Sequence, residues 1–195
     1  MGFARVGDNF ERSFPDAERI LDIFAKFSLH LEEMVRHQTG ESTPHWDVAL
    51  HEVCERLEGR VDWWLSGSAA LAVRGIDVLP RDLDLVVSDP HETGEALADI
   101  LVEPVREMSG WIARWFGRAF HGALIEWVAD VDPEVDSWGP HEQGPLAEGT
   151  LEDVVWEGHP ITCTPLRLQL AVAERRGKLE NVARIKRFQY HGGDT

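Results

Sequence analysis

Cysteine is scarce in this chain: Cys54 and Cys163 are the two thiols among 195 residues. Two isolated cysteines make neither a disulfide framework nor the paired ligand spacing of a zinc site. His159 lies four residues before Cys163, but Pro160 stands between them and no second pair follows, so no metal centre is expected there. Long apolar runs are missing as well. None approaches the roughly eighteen residues needed to cross a bilayer. The first residues, with Arg5, Asp8, Glu11 and Arg12, lack the apolar stretch of a signal peptide. These absences predict a soluble, cytoplasmic protein with no membrane partner. Basic residues are few, 19 against 35 acids, and the formal net charge is −16. From Ala119 to Leu166 there is no Lys or Arg, while Glu126, Asp130, Asp132, Glu134, Asp136, Glu142, Glu148, Glu152, Asp153 and Glu157 fall in that stretch. A protein that grips nucleic acid through its phosphates needs a basic face, so nucleic acid is not an expected partner.

What the chain does have is enough apolar material for a real core. Its hydrophobic fraction is 43%, with eight tryptophans, which suits one domain or a catalytic core with a helical appendage. Pro15 and the acids after it mark a helix start, and Ile20, Leu21, Phe24, Phe27, Leu31 and Val35 recur at helical spacing to about His37. A polar break over 38–44 precedes a second helix from about His45 to Leu57. These helices read as an N-terminal helical cap over 1–60, with no chemistry assigned. Residues 61–162 read as the core and 163–195 as C-terminal helices. Within the core, Asp89-Pro90 caps a helix to about Leu101, Val102 to Glu107 and Gly110 to Phe116 read as strands, and Gly117-Arg118 reads as the turn into the next strand. The stretch 131–150 is rich in Pro, Gly and acids and is expected to be a loop. A small hairpin is expected around Glu157-Gly158, followed by a helix from Thr164-Pro165 to Arg176 and another over 179–190.

The segment that points to chemistry is 61–87. Val61 to Leu65 reads as a buried strand, Gly67-Ser68 follows at once, Ala69 to Val73 has the small apolar composition of a helix packed on a sheet, and Leu83 to Val87 reads as a strand entered by Asp82 and Asp84. Alternation places Asp82 and Asp84 on one face, able to reach one cation, and sends Leu83 and Leu85 to the core. A glycine-opened helix start attracts anions. Carboxylates belong beside it only when a divalent cation lies between.

This pattern, an apolar strand, Gly-Ser, a short helix and hydrophobic-Asp-x-Asp-hydrophobic, resembles the polymerase-β-like nucleotidyltransferase superfamily. The flavour is that of its small bacterial members, the aminoglycoside and lincosamide nucleotidyltransferases and the abortive-infection toxin nucleotidyltransferases. The toxin branch commonly has an Arg and a Ser just before Asp-x-Asp, where this chain reads Val78-Leu79-Pro80-Arg81. The resemblance implies an α+β nucleotidyltransferase fold, a mixed β-sheet with flanking helices. It implies that Gly67 and Ser68 bind the β- and γ-phosphates, that Asp82 and Asp84 ligate Mg²⁺ or Mn²⁺, and that a later strand supplies a third carboxylate. Glu126 interrupts the apolar strand His121 to Val131, and Asp130 lies on the same face by alternation. An acid in such a strand is costly unless paired or metal-bound, which favours Glu126 over Asp130 at the strand's polar exit.

The function expected is transfer of a nucleoside monophosphate from an NTP, with ATP the expected donor, to a hydroxyl of a small, cationic acceptor. Asp82, Asp84 and Glu126 are the expected catalytic and metal-binding residues. Gly67 and Ser68, with Arg175, Arg176 and Lys178 from the basic cluster, are the expected phosphate contacts, and Arg74 and Arg81 either assist or pair with nearby acids. The alternatives are a toxin-like enzyme acting on RNA or protein and a non-catalytic nucleotidyltransferase-like binding module.

Overall fold

A computed structural model describes residues 3–6, 9–12 and 17–192. In chain order the elements begin with strands β1 (Phe3–Val6) and β2 (Asn9–Arg12) and helices α1 (Ala17–Thr39) and α2 (Trp46–Leu57). Strand β3 (Trp63–Ser66) runs straight into α3 (Gly67–Ala72), followed by β4 (Asp82–Val87), α4 (Pro90–Ala96), β5 (Leu101–Glu107), β6 (Ala113–Phe120) and β7 (Leu124–Val131). A loop with a short helix α5 (Pro145–Glu148) leads to β8 (Glu152–Trp156), β9 (His159–Cys163), α6 (Leu166–Arg175) and α7 (Leu179–Gly192). Pro15, the expected helix start, lies outside the described residues. The β1–β2 hairpin was not expected from the sequence, since its short strands carry no sustained alternation.

Seven strands form one mixed sheet in the order β5-β6-β7-β4-β3-β9-β8. β4 lies at its centre, antiparallel to β3 and parallel to β7. Its alternation decides the two faces. Leu83 and Leu85 are fully buried and pack with Leu65, Ile125 and Trp127 against Leu50, Val53 and Leu57 of α2. Asp82 and Asp84 take the opposite face, each partly exposed. α1 lies along β5, where Phe27 and Met34 pack on Val102, Phe120 and Leu124. The Glu157-Gly158 hairpin and the helix break at Gly177 occur where expected. No helix among the described residues is long and apolar enough to cross a membrane.

Two expectations need correction. Gly117 and Arg118 do not turn the chain; they lie inside β6, paired with Trp127 and Glu126 of β7. Gly117 is there because the buried Trp127 ring lies on its Cα, so a Cβ would fall deep inside the ring's van der Waals surface. The Trp127 indole N–H donates to Pro90 O at 3.2 Å, which fixes the ring in that place. The helix after Asp89 is also shorter than expected: α4 ends at Ala96, and a single 3₁₀ turn over Ala98–Ile100 passes directly into β5. Overpacking of a fixed aromatic is the basis of a stability prediction: Gly117→Ala is expected to destabilise the protein by about 1–3 kcal/mol, measured by urea titration. A loss below about 0.5 kcal/mol would mean the ring can move.

Candidate active site

Ser66 ends β3 with its backbone extended, and Gly67 then turns the chain with φ +64 into α3. Glycine is required at that angle for a second reason, because a Cβ at Gly67 would collide with Asp84 Oδ2. The register explains the contact, since Ser66 pairs with Asp84 across β3 and β4. A carboxylate oxygen thus lies directly on the turn whose N–H groups begin a helix. Ser66, Gly67, Ser68, Asp82 and Asp84 line one cavity of about 330 Å³, with Lys178 at its wall.

The carboxylates of this cavity oppose one another. Asp84 is pushed up to about 7, first by desolvation and then by the charges of Asp82, Glu126 and Glu142, with Lys178 opposing. Asp82 is also raised, by desolvation, against the pull of Arg81, Arg118 and Lys178. Neither aspartate has an ion-pair partner among the described residues. All their donor atoms are carboxylate oxygens, the ligands preferred by Mg²⁺ and Mn²⁺, so the pair fits a hard divalent cation.

Glu126 is placed beside Asp84 by register, one strand further on. Its carboxylate is paired with Arg118, which donates through Nε at 2.7 Å and also engages Glu103. Burial raises Glu126 while Arg118 pulls it back down. The expected convergence of Asp82, Asp84 and Glu126 is therefore not present as a three-carboxylate cluster among the described residues. Glu126 instead lines a neighbouring groove of about 450 Å³ that shares Asp82 with the first cavity. Asp130, the other candidate, is exposed in a left-handed turn conformation (φ 52) and faces a different cavity, beside Trp63 and Trp64.

The basic candidates separate. Arg176 and Lys178 line the first cavity, and neither has an ion-pair partner among the described residues. Arg175 is used elsewhere: its guanidinium donates to Trp138 O at 3.2 Å and to Pro140 O at 2.8 Å, holding the loop that covers the cavity. Arg74 is occupied by Glu152 and Thr164 O, and Arg81 reaches Gln38 O only at 3.5 Å. Charge clustering in the sequence did not distinguish these roles.

Two residues of the site were not anticipated. Glu142, on the covering loop, accepts from the Gly67 N–H at 2.8 Å through Oε2. Gln169 of α6, which is 2% exposed, donates through Nε2 to Gly67 O at 2.7 Å and to Glu142 Oε2 at 3.3 Å. A polar Gln on the inward face of α6 was the available signal for the second; nothing marked Glu142 among ten acids. The two cysteines are free. Both are buried, and burial pushes each thiol up to about 11.

No protein-family model matches this sequence, and no curated protein sequence matches it. Solved structures do. A Thermotoga maritima protein inferred to be a nucleotidyltransferase superposes with a TM-score of 0.54 at 19% identity, over 73% of this chain and 91% of that one. ANT(2″)-Ia, solved in complex with adenylyl-2″-tobramycin, gives a TM-score of 0.48 at 13% identity, over 71% of this chain and 84% of that one. The seven-stranded sheet, with its Gly-Ser turn facing Asp-x-Asp, is an α+β nucleotidyltransferase fold.

Proposed function

We propose that this protein is a metal-dependent nucleotidyltransferase that moves a nucleoside monophosphate from an NTP, with ATP as donor, to a hydroxyl of a small acceptor, releasing pyrophosphate. One observation carries the reading: Asp84 Oδ2 is packed on the Gly67 turn, so an anion-attracting turn and a carboxylate share one cavity. A bound cation reconciles them. Asp82 and Asp84 would hold Mg²⁺ or Mn²⁺, which supplies neutralisation of the triphosphate charge as it develops. The Gly67 N–H and Ser68 hold the leaving phosphates, and Lys178 and Arg176 offset their charge from the opposite wall. Glu126, once released from Arg118, completes the site and takes the proton of the acceptor hydroxyl.

The groove that meets the cavity at Asp82 suits the acceptor. Phe27, Leu31, Met34 and Val35 of α1 form its apolar wall, and Asp82, Glu126 and the Arg118 that pairs Glu126 are its charged lining. Apolar walls favour a compact organic frame, while Asp82, unpaired among the described residues, and the net charge of −16 favour a cationic group on it. One observation supports a second reading, a nucleotide-binding module without transfer chemistry: Arg118 already neutralises Glu126. The deciding experiment is incubation with α-labelled ATP, Mg²⁺ and, in parallel, small amino alcohols, aminoglycosides and total tRNA. Label on a small molecule with equimolar pyrophosphate supports transfer. Label on tRNA alone overturns the acceptor class, and tight ATP binding with no transfer to any acceptor selects the binding module.

A divalent ion should bind without nucleotide. Titration with Mn²⁺ followed by electron paramagnetic resonance is expected to show a site that Asp82→Asn weakens about tenfold or more. Equal affinity in the variant would remove Asp82 from the ligand set.

A further inference from the structure

The residue that holds the Gly67 N–H is itself an anion. Glu142 Oε2 accepts from that donor and also from Gln169 Nε2, which it shares with Gly67 O, so one carboxylate satisfies two of the donors facing the cavity. It does so beside Asp84, whose proton affinity it raises. Asp82, Asp84 and Glu142 line one cavity with Arg176 and Lys178, and Gly67 and Gln169 are the hydrogen-bond donors to the Glu142 carboxylate among the described residues. The main chain under Glu142 is firmly built: Thr164 Oγ1 donates to Glu142 O at 2.8 Å, Asp136 accepts from His141 N at 2.9 Å, and Arg175 clamps Trp138 and Pro140. The side chain, by contrast, is only half-buried.

Gln169 carries an independent sign that something else binds here. It is 2% exposed, lines the cavity, and its Oε1 has no hydrogen-bond partner among the described residues. Its amide orientation is fixed, because Nε2 must face both Gly67 O and Glu142 Oε2. A buried acceptor left open is costly and marks a place for a donor, which phosphate oxygens lack and which a nucleotide's ribose hydroxyls or the water on its cation supply.

We propose that Glu142 is a built-in stand-in for the terminal phosphates of the nucleotide. Its carboxylate holds the Gly67 N–H and Gln169 Nε2 until a polyphosphate displaces it, and those two donors then bind the phosphate oxygens. Gln169 becomes a phosphate-binding residue, and Glu142 a gate that lowers the apparent affinity by the fraction of time it is closed. This rests on the cavity being a nucleotide site. No bond is made or broken in the exchange; one anion replaces another on the same donors.

The test is calorimetric titration of a non-hydrolysable ATP analogue and of inorganic tripolyphosphate, both with Mg²⁺, into wild type, Glu142→Ala, Glu142→Asp and Glu180→Gln. Aspartate keeps the charge but is one methylene too short to reach Gly67 from a pinned main chain, so it separates occupancy from repulsion. Both Glu142 variants are expected to bind each probe about tenfold tighter than wild type. Glu180→Gln, an exposed acid at a neighbouring groove, should stay within about twofold. Folded Gln169→Met should bind about tenfold more weakly, since it loses a hydrogen bond to a charged group. Unchanged or weaker binding by both Glu142 variants overturns the gate while leaving the nucleotide reading intact. Tightening by Glu142→Ala alone reduces the effect to charge and overturns it too. Tighter tripolyphosphate binding without any nucleotide binding keeps the gate and removes the nucleotide reading, and silence from both probes in every variant removes both.

Discussion

Asp84→Asn is expected to lower NMP transfer by about 10³-fold while stabilising the metal-free protein. The first effect follows from loss of the charge on a proposed metal ligand that makes no core contact. The second follows from linkage. Asp84 is held at about 7 in the folded protein against an ordinary 3.8, so the folded state binds the proton more tightly than the unfolded one. Stability is then fully present below about pH 4 and is lost as pH rises through 7. Asp82 and Glu126, both raised, add to the same trend. An ionised Asp84 costs on the order of 2–4 kcal/mol, which the asparagine removes. Thermal melts of wild type between pH 4 and 8 should therefore fall with pH, those of Asp84→Asn should fall less, and the variant should melt higher at pH 8. Added Mg²⁺ should raise the wild-type melt at pH 8 and leave the variant nearly unchanged. A variant that melts lower than wild type at pH 8 without metal would falsify the claim that these carboxylates oppose one another.

Gly67→Ala has the other large effect, and it acts through geometry. The methyl group would be forced into a left-handed backbone conformation and into Asp84 Oδ2 together. The backbone strain alone costs about 1–3 kcal/mol, and relief of the clash must shift Asp84 or the Gly67 N–H. Nucleotide affinity is expected to fall about 30-fold or more, because both the proposed phosphate donor and the proposed metal ligand are displaced. The measurement is titration with the non-hydrolysable ATP analogue, with circular dichroism to show that the sheet is intact. Gly75→Ala serves as the reference, since its angle is also positive but no atom lies within 4 Å of the added Cβ. It should lose stability by a similar backbone amount and bind nucleotide normally.

The central strands were legible because their chemistry is local. Leu83 and Leu85 alternate with Asp82 and Asp84, and that period alone fixed which residues face the core and which face the cavity. Gly67 was legible as a turn for the same reason. Gly117 was misread because a glycine signals a turn in sequence, whereas here it makes room for a ring ten residues away in the chain. The pairing of Glu126 with Arg118 depends on strand register across β6 and β7, which no single strand encodes. The acidic run from 119 to 166 was legible as charge but not as position. Its members go to separate places: Glu126 to Arg118, Glu142 to Gly67, Glu152 to Arg74 and Glu157 to His51. Arg175 likewise belonged to a basic cluster by counting and to a loop clamp by geometry.

Ser66, Asp84, Glu126 and Arg118 stand opposite one another on four adjacent strands, and Glu103 on β5 opposes Arg118 in turn. Arg118 divides its charge between Glu126 inside and Glu103 at the sheet's rim. The rim residue is thus a remote handle on the centre. Replacing Glu103 by glutamine leaves Arg118 wholly to Glu126 and makes that carboxylate harder to recruit. Strengthening the rim contact does the reverse. An outermost strand whose register shifts at Glu103, outside its buried start at Leu101 and Val102, is in a position to bias the proposed third carboxylate by the partition of a single guanidinium.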